Sequence, residues 1–222
     1  MIAALYVQTG GAYFGLEGVD PWDEQRDARL YAGPWPVVAH PPCKRWGRYA
    51  RGGPNATPGK FRLGDDGGCF AAAFAAVNRW GGVIEHPAAS WAWEAHGIAT
   101  PPHAGGWVSA GLYAPPHGWT CCVEQGHYGH RARKATWLYC VNREQRPYPL
   151  IWGPADSGVR MEEGFRSNSE RAAARRAGVP PIKRMNGSEL AATPIPFRDL
   201  LLSLASNTGR TPRPDNNGEL TE

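Results

Sequence analysis

Residues 69–80, CFAAAFAAVNRW, are apolar around nearly the whole circumference of a helix, and Gly81-Gly82 stops that helix just before the apolar run Val83-Ile84. A helix with so small a polar face has to be covered, and a sheet is the natural cover. Upstream, Pro36-Val37-Val38-Ala39-His40 reads as a short buried strand. Strand, loop, helix, strand, loop and helix across residues 36–97 make a βαβ unit, with Asp65 or Asp66 as the expected helix cap. The expected class is α/β: a reduced Rossmann-like sheet of few strands with helices on its faces.

The rest of the chain is read around that unit. Residues 3–16 suggest two short strands about Thr9-Gly10-Gly11, either a hairpin or a strand entering a glycine turn. Residues 22–32 suggest a short charged helix, and SWAWEAHG another. Residues 119–125 and 135–142 read as strands separated by the turn GHYGHRARK. Helices are expected at SERAAARRAG and over 194–205, with a disordered tail over 206–222. A length of 222 residues suits one domain, taken as 1–205, with 98–118 and 143–185 left as candidate recognition loops.

Composition narrows the setting. No run of eighteen apolar residues exists, which excludes a helical membrane span, and the N-terminus lacks the basic start of a secretory signal. Five cysteines without regular spacing suggest reduced thiols in a cytoplasmic setting. Zinc at Cys121, Cys122, His127 and His130 is the other cysteine reading, but no C-x-x-C pair frames it. A net charge of +4 and ten tryptophans are compatible with nucleic acid, whose unstacked bases bind aromatic faces.

In parallel sheets, ligands sit at the carboxyl ends of the strands. Cys43 and Glu85 both fall there, each just beyond a buried run. Pro41 and Pro42 hold Cys43 on a stiff turn. Lys44, Arg45 and Arg48 are expected to lower its pKa, and burial to raise that of Glu85. A soft nucleophile beside a proton donor suits covalent attack on an electron-poor ring that is protonated at nitrogen, and reaching such a ring in a duplex requires flipping it out. Residues 44–63 carry Lys44, Arg45, Arg48, Arg51, Lys60 and Arg62 with no acid, interleaved with Trp46, Tyr49 and Phe61. This loop is the expected phosphate-binding surface for DNA.

Taken together these residues resemble the DNA cytosine-5 methyltransferases. His40-Pro41-Pro42-Cys43 resembles the Pro-Pro-Cys loop of that family's nucleophile, and Glu85-His86-Pro87 its Glu-Asn-Val element, whose glutamate contacts the target cytosine. Residues 128–133, with Arg131 and Arg133, resemble its later Gln-x-Arg-x-Arg motif; Asn186 and residues 193–196 are similar to the final motif near the cofactor. The motifs follow in the family's order, most clearly over 36–142, and the compact form is similar to small methylase-like proteins of bacteriophages. The resemblance implies a class I methyltransferase-like fold, DNA as partner, cytosine C5 methylation from S-adenosylmethionine, and Cys43, Glu85, Arg131 and Arg133 as catalytic residues. For the cofactor it implies Tyr6, Gly10, Gly11, Asp20, Pro41 and Asn186.

The chain departs from the family in three ways. In the family the nucleophile's loop follows the fourth strand, whereas only 31 residues separate Gly11 from Cys43. Three strand–helix crossovers cannot fit in that length, so the cofactor half is truncated or rebuilt. No separate target-recognition domain is present, and His86 stands where the family has asparagine. Two alternatives follow: the same Cys/Glu pyrimidine chemistry without S-adenosylmethionine, or an inactive nucleic-acid-binding, anti-restriction protein of the same descent.

Overall fold

The computed structural model describes residues 1–47, 50–51, 57, 59–111, 118–142, 146–155, 168–179, 185, 189 and 192–207. Among these residues, seven strands form one mixed sheet: β1 (Ile2–Leu5), β2 (Val19–Trp22), β3 (Val37–Ala39), β4 (Gly82–Pro87), β5 (Val108–Ser109), β6 (Gly118–Glu124) and β7 (Ala135–Val141). Their order is β2-β1-β3-β4-β7-β6-β5. The first four are mutually parallel, β7 runs antiparallel to β4, and β6 and β5 alternate beyond it. The α/β class and the βαβ unit of residues 36–97 are therefore present. The expectation of few strands is corrected to seven, because β2 (VDPW) and the two-residue β5 carry no apolar alternation to announce them.

Among the described residues, four α-helices accompany the sheet: α1 (Cys69–Trp80), α2 (Trp91–Ala95), α3 (Asn168–Arg176) and α4 (Ile195–Ser206). Strand alternation splits the core in two. Ala3, Leu5, Val37, Ala39 and Ile84 face α1 and α2, whereas Ile2, Ala4, Val38 and Val83 face α4. Helix α1 buries Phe70, Ala73, Ala76 and Val77 on the sheet, and small alanines fill its outer side. Asp66 accepts the N–H groups of Gly68 and Phe70 at 2.9 and 2.8 Å, which identifies it as the acid at the start of this helix. Gly82, at φ +123°, sits so close to β3 that a Cβ there would lie 1.9 Å from the Val37 carbonyl oxygen.

One open alternative is decided and one local expectation changes. Residues 3–16 hold one strand entering a glycine turn, and β1 pairs in parallel with β2. The charged helix over 22–32 is two 3₁₀ turns, because Asp23 and Asp27 each accept the N–H two residues ahead and restart the chain there. Cys121 and Cys122 point into opposite cores, and among the described residues no three His, Cys, Asp or Glu side chains gather as metal ligands. The tail from 208 onward and residues 143–145, 156–167 and 180–184 of the expected recognition loop 143–185 lie outside the described residues; α3 within that loop is exposed. No described helix is long and apolar enough to cross a membrane.

Candidate active site

The carboxyl ends of β1, β3 and β4 open into a cleft of about 570 Å³, within the range of small-molecule sites. Tyr6, Val7, Gln8, Ala12 and Tyr13 line it from the loop after β1. His40, Pro41, Pro42 and Cys43 enter after β3, Glu85, His86 and Pro87 from the end of β4, and Lys134 and Thr193 from the far side. The structure thus brings Cys43 and Glu85 together, and Cys43 is exposed to solvent.

Glu85 is clamped. Its Oε2 lies 3.1 Å from His40 Nδ1, and its Oε1 accepts from Gln125 Nε2 at 3.1 Å. Gln125 also donates to Thr136 Oγ1 at 2.9 Å, which fixes the amide. Beyond the histidine, the Tyr13 hydroxyl lies 2.8 Å from His40 Nε2. Alternation explains the grouping: Val38 and His40 share one side of β3, Val83 and Glu85 the same side of β4, and Tyr13 packs into that same core.

The charge states run opposite to the sequence-based expectation. Burial pushes the Glu85 carboxyl up, but the His40 hydrogen bond and charge, with Lys134 and His86, outweigh it and hold its pKa low. Burial, and then the Glu85 charge, push the Cys43 thiol up, while Lys134 acts the other way. Lys44 and Arg45, which follow Cys43 in sequence, do not line the cleft and take no part in that balance. Arg45 donates to the Ala50 carbonyl and stacks on Phe61 at 3.8 Å.

His86 occupies the other side of β4. It is buried against Phe70 and stacked on Trp93, and its Nδ1 lies 2.7 Å from Ser90 Oγ. Among the described residues, its Nε2 has no partner within hydrogen-bond geometry. Burial lowers its pKa to about 4, against the opposing influence of the nearby Glu85 and of the Pro41 and Pro42 carbonyls. The ring thus backs the Pro-Pro-Cys turn from behind.

Arg131 and Arg133 are both exposed and do not line the cleft; Arg131 pairs with Glu189. Lys134, the next residue, is the cation that faces Cys43 and Glu85. Sequence reading missed Lys134, Gln125 and Tyr13 and quoted His40 only as part of a motif. The single signal for Lys134 was its place at the start of a strand beside two arginines.

The expected cofactor residues are only partly gathered. Tyr6 and Pro41 line the cleft, and so does Thr193 of the final motif, whereas Asn186 lies outside the described residues. Gly10 and Gly11 form a tight turn, with Gly10 at φ +65° and Gly11 N–H donating to the Gln8 carbonyl at 2.9 Å. They carry the loop, but only its flanks Gln8 and Ala12 touch the cleft. Asp20 does not line it: its carboxylate is held by Trp22 Nε1 at 2.8 Å and by Arg26 at 2.5 Å. The donor set for S-adenosylmethionine that the sequence suggested therefore does not fit as a set.

Of the basic loop, Lys44, Arg51, Lys60 and Arg62 are exposed, while Arg48 and Tyr49 lie outside the described residues. Trp46 is not available to stack on a base, because it is buried against Phe70 and its indole N–H donates to Asp66. No family model, no curated protein and no solved structure matches the chain.

Proposed function

We propose that the protein modifies a pyrimidine base of DNA at C5 through a covalent adduct between Cys43 and C6, with cytosine methylation as the simplest outcome. The observation that carries this reading is the cleft itself: Cys43, Glu85 and Lys134 meet at the carboxyl edge of the sheet's parallel strands. Lys134 favours the thiolate, and Glu85 faces the space where a ring beside the thiolate would sit. A Cys–His hydrolase is the obvious rival for such residues. It is disfavoured because His40 spends one nitrogen on Tyr13 and the other on Glu85. Exposed cations on the 44–62 loop, and Arg131 and Arg133 beside Lys134, lie outside the cleft, which suits a polymer backbone better than a free nucleotide.

The methyl donor is a separate question. S-Adenosylmethionine would supply a methyl group to C5, but the commitment of Asp20 to Trp22 and Arg26 favours the version of this reading in which the Cys/Glu chemistry uses another donor. Exchange of tritium from C5 of cytosine in DNA tests the core chemistry without any donor, since attack at C6 makes C5 exchangeable. Exchange abolished by Cys43→Ser is expected; exchange that persists in that variant overturns the assignment. Calorimetry with S-adenosylmethionine then separates the two donor versions.

A further inference from the structure

The chain Tyr13–His40–Glu85 is more than the proposed reaction requires of a single carboxylate. We propose that His40 and Glu85 hold one proton between them as a single unit, that Tyr13 fixes the imidazole for it, and that this unit protonates the ring nitrogen. The inference rests on the pyrimidine reading for its acceptor, but the shared proton is a property of the chain itself.

Geometry carries the argument. Glu85 Oε2 faces His40 Nδ1 at 3.1 Å, and Tyr13 Oη faces Nε2 at 2.8 Å, so both ring nitrogens are engaged and the ring cannot turn. An ionised carboxylate only accepts, so Nδ1 must carry hydrogen towards Glu85. A phenol both donates and accepts: Tyr13 can donate to a bare Nε2 and accept from a protonated one, holding the ring in either state. Burial and the Glu85 charge push the Tyr13 phenol far up, so it positions the ring without ionising. Gln125 holds the other carboxylate oxygen, leaving the His40 side as the route by which a proton reaches Glu85. The other charged groups around the pair are Lys134 before β7, His86 on β4 and Cys43 on the turn, with Arg198 and Asp199 of α4 near Tyr13.

In the loaded unit His40 is protonated on both nitrogens and Glu85 is a carboxylate. The electron pair of the Cys43 thiolate forms the S–C6 bond, and the ring π electrons shift from C5–C6 through C4 to N3. The proton moves from Nδ1 to Glu85 and from Glu85 to N3. When the sulfur leaves at the end of the cycle, the same proton returns from N3 to the pair, so none is consumed. His40 and Tyr13 are positioning residues in this scheme.

Two measurements test it on the full chain. The Nδ1–H proton of His40 is observed by nuclear magnetic resonance, alone and in Glu85→Gln; a proton shared with a carboxylate lies far downfield and must move upfield when an amide replaces the carboxylate. A resonance that does not move overturns the proposal whatever the protein's substrate. In parallel, C5 tritium exchange is followed against pH in the parent, His40→Gln and Tyr13→Phe. His40→Gln should lower turnover by roughly 10²-fold and remove the alkaline limb of the parent's profile, with little change in KM for DNA. Tyr13→Phe should keep the limb but displace it. A His40→Gln profile parallel to the parent's would show a merely structural histidine and overturn the relay. Absence of exchange in the parent would overturn the pyrimidine reading instead, leaving the Nδ1–H resonance to decide on the pair.

Discussion

The indole N–H of Trp46 donates to Oδ2 of Asp66 at 2.8 Å, and the same oxygen accepts the Phe70 N–H at the start of α1. The turn that carries Cys43 is thereby tied to the helix that follows it. The backbone N–H of Trp46 donates to the Cys43 carbonyl within that turn, and the Trp46 carbonyl receives the backbone N–H of Trp91 of α2. Asp66→Ala should therefore cost more than a cap alone, because it also strands a buried indole N–H. We expect a loss of about 2–3 kcal/mol in urea unfolding. Trp46→Phe keeps an aromatic ring, removes the indole N–H and should cost about 1 kcal/mol.

Cys43 should respond in opposite directions to its two charged neighbours. Glu85→Gln removes the charge that disfavours the thiolate, and alkylation of Cys43 at pH 8, followed by mass spectrometry, should speed up roughly threefold. Lys134→Met removes the favourable charge and should slow alkylation by a similar factor. Arg131→Ala and Arg133→Ala should leave the rate unchanged, since neither arginine lines the cleft.

His86 makes stability depend on acid. The unfolded chain takes up its proton near pH 6.5, whereas the fold admits it only near pH 4. The folded-state pKa is depressed, so the stabilisation is fully present above about pH 6.5 and is lost as pH falls towards 4. Over that window the loss should total about 3 kcal/mol, at 1.36 kcal/mol per pKa unit. Urea midpoints measured between these limits should flatten in His86→Gln.

If the loop after Cys43 binds the DNA backbone, affinity should fall steeply with salt, with a log–log slope near −0.9 per phosphate neutralised. Lys44→Ala with Arg62→Ala should make the slope shallower by about two units and weaken all DNA sequences alike. An unchanged slope in filter binding would move the DNA elsewhere on the protein.

The pieces legible in the sequence were those whose signal is local. Helix α1 runs from Cys69 to Trp80 as its composition and Gly81 require, and β3, β4, β6 and β7 follow apolar runs. Cys43 and Glu85 were legible because each follows such a run. The remainder of the site depends on strand order. Since β7 is inserted between β4 and β6, Thr136 pairs with Pro87 and with Val123. That pairing sets Lys134 and Gln125 beside Glu85, a proximity that no spacing along the chain encodes. Tyr13 was hidden differently: its loop reads as a second strand until β2 takes the place beside β1. The ionisation of Glu85 was misjudged for the same reason, because burial could be guessed whereas the donors facing it could not.

The sheet ends in two poor templates. One outer strand, β2, contains Pro21, which has no N–H to offer, and the other, β5, is two residues long. A further chain seeking to extend the ladder would find few consecutive donors and acceptors on either side. Pairing of another chain along the described sheet edges is thus opposed at both margins by the backbone itself.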